Sequence, residues 1–93
     1  MPIQETIKNN NYKVLDVTLK AGETMPLHKA TSDALVINTG GKARLLIEGK
    51  TVILTPGDKY FIGGNIPHKL EILEDFHASV VMEPEAEIKF VES

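Results

Sequence analysis

Short apolar runs, each ended by turn-forming residues, recur along most of this 93-residue chain, and no window has the period of an amphipathic helix. In the run that starts at Tyr12, the apolar side chains Leu15, Val17 and Leu19 alternate with polar ones. That period of two is typical of a strand with one buried face. Several such strands, separated by glycine, proline and asparagine turns, indicate an all-β sandwich or barrel. We expect a closed barrel, because closure removes exposed strand edges.

Three segments are expected at the margins of the sheet. Residues 1–11 end in an asparagine-rich turn and are expected to be a poorly fixed terminus. Pro26 cannot donate a ladder hydrogen bond, so the piece from Met25 to His28 is expected at an edge or rim. The run from Ile88 to Val91 is short enough to be an added edge strand or a frayed end.

Three turns are expected between the central strands. Residues 38–41, Asn-Thr-Gly-Gly, are expected to end the apolar run that starts at Ala34. Gly49 and Lys50 have the length and the leading glycine of a two-residue hairpin turn. Residues 74–75, Glu-Asp, are expected to form a tight connection between two strands.

The composition fits one globular domain over residues 1–93, with its core at about 12–83. Hydrophobic residues make up 42% and charged residues 25% of the chain, a balance that argues against disorder. The net charge of -3 and the dispersed basic residues argue against nucleic acids and membrane surfaces as partners. The lack of cysteine excludes thiolate metal sites and thiol nucleophiles. With no leader-like start and no long apolar stretch, we expect a cytoplasmic protein.

The stretch from Thr55 to His68 is the clearest motif, a turn, a short strand, a glycine-rich bend and then a histidine. His68 alternates with Leu70 and Ile72, which puts its imidazole on the apolar inner face of a strand. An imidazole in that place is either a hydrogen-bonded core residue or a ligand. The sequence leaves both interpretations open.

The spacing of this stretch and of an earlier one resembles the two motifs of the cupin superfamily. The first motif is a glycine, five residues, a histidine, one residue, a second histidine and, further on, a glutamate that six residues separate from a second glycine. Gly22 and His28 keep this spacing, whereas Ala30 stands where the second histidine is expected. Asp33, one methylene shorter than glutamate and one residue early, stands in the carboxylate position before Gly40.

The second motif is kept in its outer spacing. Gly57 and His68 match, while Gly63, Asn65 and Ile72 occupy the positions of the family's proline, glycine and asparagine. The resemblance covers residues 14–82. It implies a small double-stranded β-helix, that is, a jelly-roll barrel.

In the family, three histidines and a glutamate commonly hold a divalent metal, so the resemblance implies His28 and His68 as ligands and Asp33 as a candidate third. Zinc, iron, nickel and manganese are the metals that such a set would take. Two histidines alone would give a weak, exchangeable site. The resemblance, together with edge strands at the termini, also leads us to expect a homodimer.

Further candidates have a structural and a functional interpretation. The facing of His28 cannot be determined from its proline-containing segment, and Asp33 lies in a turn sequence where its carboxylate could bond its own backbone. Met25 and Tyr60 could line a ligand pocket or simply pack in the barrel. His77 could supply a further nitrogen to the pocket, although its alternation places it opposite the apolar face.

Two functional hypotheses follow. The first is a metal-dependent enzyme that acts on a small organic substrate, such as an oxygenase or an isomerase. The second is a metal-free binding module in which the same histidines hydrogen-bond a small polar molecule inside an apolar pocket. A scaffold without a ligand is the remaining alternative, and whether the protein is an enzyme stays open.

Overall fold

Eight β-strands form the part of the chain that the structure, a computed structural model, describes, which is residues 2–91. No helix long and apolar enough to span a membrane occurs among these residues. The all-β prediction is confirmed. The strands are β1 (Ile3–Lys8), β2 (Lys13–Leu19), β3 (Thr24–Ala30), β4 (Ala34–Ile47), β5 (Lys50–Leu54), β6 (Lys59–Ile62), β7 (His68–Met82) and β8 (Ile88–Phe90).

The two longest strands, β4 and β7, run antiparallel and are shared by both halves of the barrel. They pair at twelve positions, from Ala34 with Met82 to Ile47 with His68, with register shifts near the middle. In the half of the pair that contains Ala34 and Met82, β2 lies beside β7, with β1 beyond it, and β6 lies beside β4. This gives the first sheet, in the order β1-β2-β7-β4-β6. In the other half, β5 lies beside β4, and β3 lies beside β7 with β8 beyond it. This gives the second sheet, in the order β5-β4-β7-β3-β8. The sheet thereby curls into a jelly roll.

The core fills the space between the two sheets. Along β2, the alternation of Leu15, Val17 and Leu19 is confirmed, since all three side chains are buried and the intervening ones are exposed. Phe76 of β7 and Leu45 of β4 are the largest apolar side chains that are fully buried. Each comes from a strand that both sheets share, so the core is continuous across the barrel.

The N-terminal segment is a strand, so the prediction of a poorly fixed terminus is wrong for the described residues. Strand β1 pairs with β2 from Ile3 with Val17 to Lys8 with Lys13. The asparagine turn itself is confirmed, because the Asn9 side-chain oxygen accepts hydrogen bonds from the backbone amides of residues 11 and 12, at 2.9 and 3.0 Å. The turn folds β1 back onto β2, and backbone pairing then holds it.

Two of the predicted turns are bends inside long strands. Neither residues 38–41 nor residues 74–75 end a strand, because β4 and β7 continue through them with shifted register. The Asn38 side chain, 1% exposed, supplies the hydrogen bonds that the irregular ladder lacks. Its Nδ2 donates to the Gly41 carbonyl and its Oδ1 accepts from the Gly40 amide, both at 3.0 Å. Turn-forming residues therefore produce bulges here rather than chain reversals.

The hairpin between β4 and β5 turns one residue earlier than predicted. Ile47 pairs with Lys50, so the two loop residues are Glu48 and Gly49, with φ values of 50° and 75°. Positive φ at both positions defines a type I′ turn, whose twist matches that of the flanking strands. The predicted turn, with glycine in first place, would have paired Leu45 with Leu54 instead of Val52, a register shift of two residues along β5.

Strand β3 lies between β7 and β8 only at its C-terminal end, because β8 pairs with His28, Lys29 and Ala30. Pro26 precedes this part of the strand, which agrees with the edge or rim position expected for it. The register with β7 shifts between Met25 and His28, so the proline falls in a bulge where no ladder amide is needed. Strand β8 is the edge strand on that side, in agreement with the expectation for residues 88–91.

The bend in β4 predicts a large effect of Gly41→Ala. A Cβ at Gly41 would lie 1.8 Å from the Asp75 carbonyl oxygen, and φ is +77°. We expect backbone strain and forced displacement together to lower the free energy of unfolding by more than about 3 kcal/mol. Gly22→Ala is the matched control, with φ of +90° and no atom within 4 Å, and should cost about 1 kcal/mol. Equal losses in urea denaturation would contradict this account of the bend.

Candidate functional site

Two histidines meet on the inner face of the second sheet. His28 and His68 are register partners on β3 and β7, and both are buried. Their ring centroids are 4.2 Å apart with an interplanar angle of 64°, an edge-to-face arrangement. The inward facing predicted for His68 is what the structure shows. The structure also shows that the His28 side chain points inward, which could not be determined from the sequence.

Local structure brings each imidazole into place. The bulge in β3 precedes His28 directly, and the bend after β6 precedes His68. That bend is tied to the end of β3, since the Asn65 amide, from a residue with φ of 63°, donates to the Ala30 carbonyl at 2.7 Å. The end of β3 and the bend that leads into β7 are therefore joined by a main-chain hydrogen bond.

The backbone also sets the tautomer of both rings. Nδ1 of His28 lies 2.7 Å from the carbonyl oxygen of Pro26, and Nδ1 of His68 lies 2.9 Å from that of Ile66. A carbonyl oxygen can only accept, so each Nδ1 carries the proton and donates. In the neutral ring, Nε2 then keeps its lone pair. Both histidines consequently present a hydrogen-bond acceptor or ligand atom.

Burial lowers the pKa of His28 and His68 below the ordinary value of 6.5. For His28, the neighbouring His68 ring lowers the pKa further, because two charges so close would repel, and for each ring the bond to a backbone carbonyl opposes the shift. The rings are therefore neutral at pH 7. Their chemistry is that of two adjacent neutral bases.

A cavity of about 60 Å³ lies in the barrel beside these rings. By volume it has room for roughly four to six waters or as many non-hydrogen ligand atoms. His28 and His68 contribute the polar side chains of its lining, and all the other lining side chains are apolar, among them Met25, Leu45 and Phe76. A molecule in the cavity would meet an apolar wall and two neutral imidazole rings.

Of the other candidate residues, one lines the cavity beside the histidines and three lie elsewhere. Met25 lines the cavity, whereas Asp33, Tyr60 and His77 do not belong to its lining. The exposed Asp33 carboxylate accepts a hydrogen bond from the Gly64 amide at 2.8 Å, so it anchors the bend after β6. Tyr60 packs against the core from β6. His77 is exposed, on the face of β7 opposite to the core.

The described side chains around the two imidazoles provide too few ligands for a catalytic metal centre. Among residues 2–91, no three side chains of the types that ligate metals come together. Ala30, in the second histidine position of the family motif, is buried and offers no ligand atom. Two imidazoles fall short of the three protein ligands usual in a catalytic metal site. The described residues therefore do not fit such a centre, and we assign no catalytic step through a metal.

One neighbour of the site was missed by sequence reasoning. Phe90 of β8 is the register partner of His28, and the two ring centroids are 5.8 Å apart. The aromatic residue in the short run near the C-terminus was the available signal. It could not be interpreted, because nothing local indicates that this run pairs with β3.

The chain belongs to the cupin domain family, whose model matches residues 15–83. No curated protein matches it. A conserved protein with a double-stranded β-helix domain from Klebsiella pneumoniae is 18% identical, with a TM-score of 0.84 over 98% of this chain and 84% of that one. KdgF from Halomonas sp. is 19% identical, with a TM-score of 0.81 over 89% of this chain and 77% of that one.

An enzyme is also among the similar structures. The DMSP lyase DddQ from Ruegeria pomeroyi is 24% identical, with a TM-score of 0.83 over 89% of this chain and 44% of that one. These similarities establish the double-stranded β-helix fold, as the cupin resemblance predicted. At such identities they do not carry an activity over to this chain.

The lowered pKa values predict a stability that falls on the acid side. Because each folded-state pKa lies below 6.5, the unfolded chain binds more protons in that range. The histidine contribution is thus complete above about pH 6.5 and is lost as the pH drops through the folded-state values. Urea denaturation between about pH 8 and 5 should show this decline, and it should be smaller in a His28→Gln, His68→Gln double variant. An unchanged slope in that variant would contradict the assignment.

Proposed function

We propose that this cupin binds a small, largely apolar molecule inside the barrel and holds its hydrogen-bond donor on Nε2 of His28 and His68. The observation that carries the proposal is the pair of Nδ1 bonds to the carbonyls of Pro26 and Ile66. Each bond uses the donor of its ring and leaves the lone pair as the polar feature offered to a ligand.

The chemistry of the ligand follows from charge and size. Neutral imidazoles in an apolar cavity cannot compensate a carboxylate or phosphate, whose burial without a counter-charge is costly. An alcohol, an amide or a protonated acid can donate to Nε2 and place its hydrocarbon part against the apolar wall. The cavity volume limits such a ligand to roughly four to six non-hydrogen atoms in the conformation described.

A metal ion is the second candidate ligand, and one observation favours it. Histidines that bind metals usually donate their other ring N–H to a carbonyl or carboxylate, as both of these do. His28 and His68 alone would hold zinc, iron, nickel or manganese weakly, with solvent in the remaining positions. We propose no oxygenase or isomerase reaction, because the cavity lining contains no carboxylate, hydroxyl or thiol among the described residues.

Two isomeric probes test the binding of a donor. 1-Butanol has a hydroxyl group and diethyl ether has the same formula without a donor, so only 1-butanol can bond to Nε2. In ¹⁵N-detected histidine spectra, we expect a saturable shift of the Nε2 signals of His28 and His68 with 1-butanol at millimolar concentration, and a much smaller shift with the ether.

His28→Ala and His68→Ala should each abolish the response of the remaining ring or weaken it at least tenfold. His77→Ala is the matched control, because this third histidine is exposed on the opposite face of β7. Equal responses to the two isomers, or none to either, would overturn the proposal.

Metal binding is expected to be weak. Protein purified without a histidine tag should contain less than one equivalent of metal, and excess zinc or nickel should raise the melting temperature only slightly and reversibly. Elemental analysis and thermal denaturation with and without a chelator measure both. One equivalent of tightly held metal, lost in both His28→Ala and His68→Ala, would establish the second candidate instead.

A further inference from the structure

Residues 86–91, which we call the β8 segment, close one side of the cavity beside the two histidines. In β8, Ile88 is the register partner of Ala30 and Phe90 is the register partner of His28. Partners in adjacent strands project to the same side of a sheet, and His28 and Ala30 face the inside of the barrel. Ile88 accordingly lines the cavity, and the Phe90 ring lies 5.8 Å from the His28 ring.

Phe90 covers the His28 ring on the outer side. The His28 side chain is buried, at 5% exposure, whereas Phe90 is 58% exposed. A ring in this position shields the imidazole next to it from water. Since His68 is buried as well, at 7% exposure, some part of the chain must move before a ligand from solution can reach the pair.

The pairing of β8 with the rest of the sheet is weak. Within residues 2–91, the strands β1, β5, β6 and β8 each have one neighbour, and β8, with three residues, is the shortest of them. Lys89 is the register partner of Lys29, and like charges directly opposite one another destabilise a strand pair. The carboxylate nearest to Lys89 belongs to Glu87, at 3.9 Å, so this ion pair lies within the segment.

The start of the β8 segment is held more firmly than its end. The Lys13 ammonium group donates to the Ala86 carbonyl at 2.6 Å, and the Ala86 side chain is buried. The Glu87 amide donates to the Thr31 hydroxyl, and the Glu87 carbonyl accepts from the Thr31 amide, both at 2.9 Å. These contacts fix residues 86–87 while residues 88–91 separate from β3.

We propose that residues 88–91 swing about residues 86–87 as a gate through which a small ligand reaches His28 and His68. The inference rests on the proposed function for the ligand that passes, but the opening itself occurs without a ligand. Opening breaks the short ladder with β3 and lifts Phe90 from the His28 ring. The other strands stay paired, because elements with few buried contacts open at a lower free energy than the core does.

A disulfide across the β3–β8 pair would lock the gate. The chain has no cysteine, so Lys29→Cys, Lys89→Cys introduces a single pair. Backbone bonds from the Val91 amide to the Leu27 carbonyl and from the Thr31 amide to the Glu87 carbonyl flank this position. Residues 29 and 89 therefore form a hydrogen-bonded pair, whose usual Cα separation of about 5.5 Å suits a disulfide. Both side chains point away from the cavity, since their neighbours His28 and Ala30 point inward.

Exchange of the imidazole Cε1–H with D₂O, followed by mass spectrometry, measures the access of water to each histidine without any ligand. At pH values above the histidine pKa, we expect His28 to exchange at least about fivefold more slowly in the oxidised double variant than in the same protein reduced. His77, exposed on the outer face of β7, is the internal control and should exchange equally in both forms. Equal rates for His28 in the two forms would overturn the gate.

Phe90→Ala tests the cover with the segment unlocked. It should speed the exchange of His28 at least about threefold, whereas Phe61→Ala is the matched control, because Phe61 is 63% exposed on β6. Equal effects of the two variants would overturn the covering role of Phe90 and with it the gate, and circular dichroism checks that each variant is folded.

The ligand titration keeps this inference separate from the proposed function. A failure of 1-butanol to bind would overturn the proposed function, and the Cε1–H exchange rates would still decide the gate. Binding of 1-butanol that is equally fast in the oxidised and the reduced double variant would overturn the gate and leave the proposed function standing.

Discussion

The pairing of β4 with β7 is the interaction on which the rest of the structure depends. Each strand crosses the whole barrel, so each contributes one half to the first sheet and the other half to the second. The pair must bend at its centre for the sheet to curl. The buried side-chain amide of Asn38 supplies the hydrogen bonds that the bent backbone lacks. It accepts from the Gly40 amide and donates to the Gly41 carbonyl. Such groups, if buried without partners, would cost about 1–3 kcal/mol each.

The histidine site is a consequence of that frame. The second-sheet half of β7 begins at His68, and β3 pairs with it so that His28 becomes its neighbour. Backbone carbonyls accept hydrogen bonds from both Nδ1–H groups, and burial keeps the rings neutral. Of the ligand positions in the cupin motif, the chain keeps these two histidines. Two neutral imidazoles therefore remain in the lining of an otherwise apolar cavity.

The sequence alone determined the strand-rich class, the alternation along β2 and the inward facing of His68, because these depend on a period of two and on residue type. The cupin motifs added the barrel. Only the tertiary structure decided that Asn38 and its glycines bend a strand instead of ending it, that Asp33 bonds the Gly64 amide, and that Phe90 lies beside His28. The physical reason is that local pattern fixes which face of a strand is buried, whereas a turn, a bulge or a site neighbour depends on hydrogen-bond partners far away along the chain.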